Sequence, residues 1–195
     1  MSEIAPKACA PKQRADALRN REKLVESAGR AFSTHGVSTS LEDIARQAGV
    51  GIGTLYRHFP TREHLVEAVY RRELESLAAA ADRLSATHAP DVALEEWMRR
   101  FVGYIAAKRG MAASLKILFN SNSTLFADGA GKIREAFDQL RSRAVAEKLI
   151  RDDVDASDIM HVLYGIYSMP DGPDWQERSQ KLIGVLMDGL RTHSS

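Results

Sequence analysis

Between Gly49 and Leu65 the chain reads GVGIGTLYRHFPTREHL, three glycines at alternate positions followed at once by an aromatic and basic run. Tyr56, Arg57, His58 and Phe59 in succession are poor material for a solvated loop. Arg57 carries the planar fork that matches guanine O6 and N7. Tyr56 and His58 can hydrogen-bond phosphate oxygens. Gly51 and Gly53 omit side chains, which lets a bulky partner approach the backbone closely. The chemistry these residues suggest is recognition of duplex nucleic acid, and it requires a short helix to present them.

Apolar spacing supplies that helix and its supports, since almost every segment from Leu18 onward has helical periodicity and no run alternates as a strand would. Leu24, Ala28, Ala31 and Phe32 form the stripe of a first helix that His35-Gly36 closes. Ser40-Leu41-Glu42-Asp43 resembles a capping box, and Leu41, Ile44, Ala45 and Ala48 follow on one face. Gly49 makes the turn, and a third helix runs from about Ile52 to His58 before Pro60. Ala45 is small where the two helices cross, while Val50 and Leu55 face inward. These are the dimensions of a helix-turn-helix, whose second helix enters the major groove.

Thr61 can cap a fourth helix reaching about Ala86, some 37 Å long at 1.5 Å per residue. Its stripe is Leu65, Val69, Leu74, Leu77, Ala81 and Leu84. A fifth helix starts at Asp91 and carries Trp97, Phe101, Tyr104 and Ile105. Others are expected at about 111–120, 124–150, 156–168 and 174–192, with Ala127–Gly131 as a candidate interruption and Asp155 as a cap. The expected fold is all-α with about nine helices. It divides into a basic arm at 1–17, a DNA-binding unit at 18–70 with its helix-turn-helix at about 40–59, and a helical bundle at 71–195.

Bulk properties agree with this reading. Net charge is +1, yet residues 1–62 hold ten Lys or Arg against six Asp or Glu, whereas the remainder holds seventeen against twenty. A positive end on a near-neutral protein suits a polyanion. No window nears the roughly 18 apolar residues of a membrane span, and no export signal is expected. The one cysteine, Cys9, excludes an intramolecular disulfide framework and fits the cytoplasm.

The stretch SLEDIARQAGVGIGTLYRHFPTREHLVEAVY, within about Asn20 to Tyr70, resembles the DNA-binding domain of the TetR family of transcriptional regulators. It follows that family's order of second helix, turn, LY-x-HF, capping Thr or Ser, and fourth helix. The resemblance implies a homodimer on a near-palindromic operator and a C-terminal domain that senses a small molecule, with repression favoured by analogy. It places Thr54 and Arg57 at base-contacting positions, and Tyr56, His58 and Arg62 at phosphate-contacting ones. Ser40 can present a hydroxyl and a helix N-terminus to the backbone, while Gly51, Ile52 and Gly53 lie along the same surface. Many family members carry Lys shortly after the recognition helix where this chain has Arg62.

Other functions find weaker support. The glycines at 49, 51 and 53 are not spaced G-x-G-x-x-G, and Gly129-Ala130-Gly131-Lys132 lacks the hydroxyl residue of a P-loop, since Ile133 follows. Asp158 and His161 are one approximate half of a di-iron pattern that needs two, and no hydrolase motif occurs. Neither a metal, a cofactor nor an enzymatic activity is expected. Trp97, Phe101, Tyr104, Leu115, Phe119, Asn120, Met160, His161 and Tyr164 are candidates for a pocket between the fifth and eighth helices that would take an apolar or aromatic effector. Individually, its aromatic and methionine members more simply fill a core, and the alternative is a DNA-binding regulator or activator that takes no ligand. Two seams are candidates for a four-helix dimer interface: Ile159, Val162, Leu163 and Ile166, and Leu182, Ile183, Leu186, Met187 and Leu190. Gly165 and Gly184 would allow close approach there.

Overall fold

Ser40, Thr61 and Asp155 each precede a helix and accept a hydrogen bond from the backbone amide three residues on, at 3.4, 3.4 and 2.9 Å. Asp158 returns the bond to the Asp155 amide, completing a capping box. These caps satisfy amides that a helix start leaves without partners. In the computed structural model of the chain, which describes residues 11–121, 123–169, 172 and 174–192, they open three of nine helices. The nine are α1 (Pro11–His35), α2 (Leu41–Gln47), α3 (Ile52–His58), α4 (Arg62–Thr87), α5 (Pro90–Gly110), α6 (Ala112–Ser121), α7 (Ser123–Ala146), α8 (Ala156–Tyr167) and α9 (Trp175–Leu190). Among the described residues the only extended pairing is an isolated bridge between Ile150 and Arg191.

Several features differ from the sequence reading, among them the end of α7, which stops at Ala146 rather than 150. Helix α1 begins at Pro11, so residues 11–17 are helical rather than arm; residues 1–10, including Cys9, lie outside the described residues. Pro at a first helical position is pre-set for helical φ and forfeits only an amide that has no partner anyway. The same rule moves the start of α5 to Pro90, after an Ala89 cap that makes no side-chain bond. Ala127–Gly131 does not interrupt α7, which runs through it unbroken. At Gly129 the helix passes close to α4, and a Cβ there would lie 2.3 Å from Leu74 Cδ1, so that leucine would have to change rotamer. The P-loop-like residues are therefore helix interior.

Helix α1 packs on α4 and also on α2 and α3, which pack on each other. Leu24, Ala28, Phe32, Ile44, Leu55, Leu65 and Val69 are all buried in that unit, and buried Ser27 ties α1 to α2 by donating to Ile44 O at 3.1 Å. The rest of α4 packs against α5 and α7, and α5 in turn packs on α9. Polar pins hold this far half: Trp97 Nε1 donates to Leu77 O at 3.0 Å, Gln139 to Asp82 at 3.3 Å, and Arg143 to Ser85 O at 3.0 Å. The two halves also meet where the end of α5 touches α1. A Cβ on Gly110 would lie 2.2 Å from the Phe32 carbonyl oxygen, so only glycine permits that contact.

Candidate nucleic-acid interface and internal pocket

Helix α3 is seven residues long and is held by few anchors. Leu55 is fully buried, Phe59 closes the helix as a buried cap beneath the Arg21 guanidinium, and Ile52 and Val50 pack half-buried against the same core. Gly49 allows the tight entry, since its φ of +69° is a conformation that side-chain-bearing residues resist. With Ile52, Leu55 and Phe59 turned inward, the opposite face presents Gly53, Tyr56, Arg57 and Pro60, all exposed. Nothing lies within 4 Å of where a Cβ would stand on Gly51 or Gly53. The fold itself therefore does not require glycine at either place.

The polar side chains of this face are partly engaged with one another. Arg57 Nε donates to Gly53 O at 3.2 Å and its Nη2 to Thr54 Oγ1 at 3.1 Å, so the two residues expected to read bases rest on each other. Ser40 spends its hydroxyl within the chain, donating to Glu42 at 2.8 Å and holding that carboxyl below the usual carboxylate range. His58 is half-buried and tilted against Phe59 at 6.3 Å. Arg62 has a role that spacing did not indicate: its Nη1 donates to both Val37 O and Thr39 O at 2.6 Å. It clamps the loop between α1 and α2 onto the first turn of α4. Ile52, expected along the interface, is half-buried against the core.

On the far side of α4, five helices line a partly open cavity of about 330 Å³. Tyr70 enters from α4; Phe101, Tyr104, Ile105 and Lys108 from α5; Ala112, Leu115 and Lys116 from α6; Ala130 and Ile133 from α7; and Tyr164 from α8. Tyr104 donates to the Tyr70 hydroxyl at 3.3 Å, and Phe101 meets Tyr164 edge-on at 6.4 Å. Burial raises the Tyr70 pKa and lowers that of Lys108.

Two family models match the chain in tandem. Residues 24–69 fit the one described as bacterial regulatory proteins, tetR family, and residues 89–192 fit the one described as transcriptional regulator SbtR-like, C-terminal domain. The chain belongs to the TetR family. A TetR transcriptional regulator of known structure from Streptomyces coelicolor is 40% identical with a TM-score of 0.81, over 89% of this chain and 99% of that one. A TetR transcription regulatory protein from Mycobacterium vanbaalenii is 32% identical with a TM-score of 0.73, over 92% and 99%. Among curated proteins, the "Probable acrEF/envCD operon repressor" of Escherichia coli K12 is 29% identical over 170 residues, 82% of this chain and 77% of that protein. The chain is accordingly a DNA-binding, repressor-like transcriptional regulator with a TetR all-α fold.

Within this TetR-family fold, the expected pocket set divides. Phe101, Tyr104, Leu115 and Tyr164 line the cavity. Trp97 does not, because it is fully buried behind Phe101, stacked on it at 5.8 Å with its indole N–H used by Leu77. Met160 and exposed His161 border an adjoining groove between α7 and α8, with Arg134, Glu135 and Asp138, which meets the cavity at Ala130 and Tyr164. The side chains of Phe119 and Asn120 lie outside the described residues. Spacing did contain a signal for the missed Lys108: it stands seven residues after Phe101 on the same apolar stripe, where a cation is out of place.

The interface set divides as well. Ile159, Leu163, Ile183, Met187 and Leu190 are buried inside the chain. Val162, Leu182 and Val185 are exposed, and with Gly165, Ile166, Met169 and Leu186 they form a continuous apolar surface. Helices α8 and α9 each carry two interleaved apolar stripes, one for the core beneath and one facing out. A Cβ on Gly165 or Gly184 would meet nothing within 4 Å in the single chain. Among the described residues no helix is long and apolar enough to cross a membrane, and no group of three His, Cys, Asp or Glu residues could hold a metal.

Proposed function

We propose that this chain is a homodimeric cytoplasmic repressor that lays its two α3 helices into successive major grooves of a near-palindromic operator. A small apolar or aromatic effector in the five-helix cavity releases it. The supporting observation is that one helix serves both sites. The first turn of α4 carries Arg62, which holds the α1–α2 loop, and its third turn contributes Tyr70 to the cavity wall. A molecule seated against Tyr70 acts on the element that positions α3. The exposed apolar surface of α8 and α9 supports pairing with a second copy, since it is continuous and faces away from the core.

Selection of bound duplexes from a random pool tests the reading. The expected product is an inverted repeat whose half-sites are about 34–36 Å apart or a multiple of that, occupied by two chains in sedimentation. An asymmetric site bound by one chain would overturn it. Because linkage is reciprocal, a compound that fills the cavity must bind more weakly when operator is present. Equal affinity with and without operator would remove the effector from the mechanism and leave DNA binding intact.

A further inference from the structure

The cavity walls are mostly aromatic and aliphatic, yet Lys108 extends from the same stripe of α5 as Phe101, Tyr104 and Ile105. Among the described residues it has no ion-pair partner, and no acidic side chain lines the cavity. A second lysine, Lys116, stands on the cavity's α6 wall and is exposed to solvent. Tyr164 is half-exposed on the α8 side of the cavity. An ammonium partly removed from water with no counter-charge is costly to maintain unless something brings the charge to it. Burial alone lowers the Lys108 pKa, with no carboxylate opposing it.

We propose that the effector is an amphipathic organic monoanion, a carboxylate on an aromatic or aliphatic body, whose charged end pairs with Lys108 at the cavity wall formed with Lys116. The inference rests on the effector reading above and specifies the chemistry of that same cavity. The body lies against Phe101, Ile105, Leu115 and Ile133, and covers the hydroxyl pair of Tyr70 and Tyr104. A carboxylate fits better than a phosphate because one half-buried cation balances one negative charge. Beyond Lys108 a dianion would find only the solvent-exposed Lys116 and tyrosine hydroxyls, with no arginine fork to hold it. Neutral molecules of the same shape gain the apolar contacts and leave Lys108 uncompensated.

Octanoate and 3-phenylpropionate, each beside its primary amide, are suitable probes for calorimetric titration of the full chain. The expected result is at least tenfold tighter binding of each carboxylate than of its amide. Lys108→Met should abolish that preference while amide binding persists, and Lys116→Gln should reduce it only partly. The melting temperature of uncomplexed Lys108→Met should equal or exceed that of the unaltered protein, which separates lost pairing from lost folding. Amides that bind as well as the acids, a preference that survives Lys108→Met, or failure of all four probes to bind would each overturn the anion assignment. The same titrations repeated on the selected operator separate this outcome from failure of the effector reading. Amides that bind equally and release DNA overturn only the charge requirement. Carboxylates that prefer Lys108 yet leave DNA affinity unchanged uphold the site chemistry and overturn its regulatory role.

Discussion

Arg57 and Lys108 are both cations without an ion-pair partner among the described residues, and the molecule holds them in opposite ways. Arg57 stands exposed on a seven-residue helix anchored by Leu55 and Phe59, and its guanidinium rests on the oxygens of Gly53 and Thr54. Water solvates it at little cost, so it waits for a partner too large to enter any cavity. Lys108 stands half-buried on a 21-residue helix packed on several sides. Its charge is costly there, and the monoanion proposed above would offset it. A thinly anchored surface suits a rigid polyanion that supplies its own shape, whereas a thickly packed wall selects by size and charge.

The contrast can be tested hardest where the two regions must cooperate. If the bundle matters to DNA reading only through pairing, Val185→Asp should give monomers in sedimentation and lose about a hundredfold or more of operator affinity, the usual scale of lost bivalency. A variant that stays dimeric would place the interface elsewhere. Next in size is Arg57→Ala, which should cost about 1–3 kcal/mol per half-site and relax preference at one base pair in each. An unchanged ratio of operator to scrambled affinity would show that Arg57 only solvates the helix. Gly110→Ala attacks the seam between the regions. Its methyl meets a backbone carbonyl that cannot swing aside, so stability should fall by about 1–3 kcal/mol in denaturant unfolding. Arg62→Ala has the smallest expected effect, about 1.5 kcal/mol of stability from two lost bonds to carbonyls. Operator and random duplex should then weaken together. A change confined to the salt dependence of binding would instead make Arg62 a phosphate contact.

The DNA-facing unit was legible because its residues answer to two demands at once. Gly49 must turn the chain, Leu55 must be buried, and the residues between them must face out, so spacing alone placed α3 at its observed limits of Ile52 and His58. The clamp made by Arg62 was not legible, because its bonds to Val37 and Thr39 cross more than twenty positions of sequence. In the bundle, one residue type serves several purposes. Trp97 and Phe101 are both buried aromatics on one helix, and only packing separates the one behind the cavity from the one lining it. Likewise Leu182 and Ile183 are neighbours in an apolar run, one exposed and the other fully buried. Helical spacing resolves such stripes only when one of them is polar.

The pins along the far half of α4 give that helix a fulcrum. Leu77 is fixed through its carbonyl to Trp97, and Asp82 and Ser85 are fixed to α7, whereas the opposite end of the helix bears Arg62, bound to the α1–α2 loop. Measured from Leu77, Tyr70 lies about 10 Å along the axis and Arg62 about 22 Å, taking 1.5 Å of rise per residue. A push of about 1 Å at Tyr70 therefore becomes about 2 Å at the DNA end, by lever arm alone. In the homodimer proposed above the arms would swing in opposite senses, changing the separation of the two α3 helices by about 4 Å against the 34–36 Å of one helical turn of DNA. The distance from fulcrum to cavity thus acts as a gear ratio.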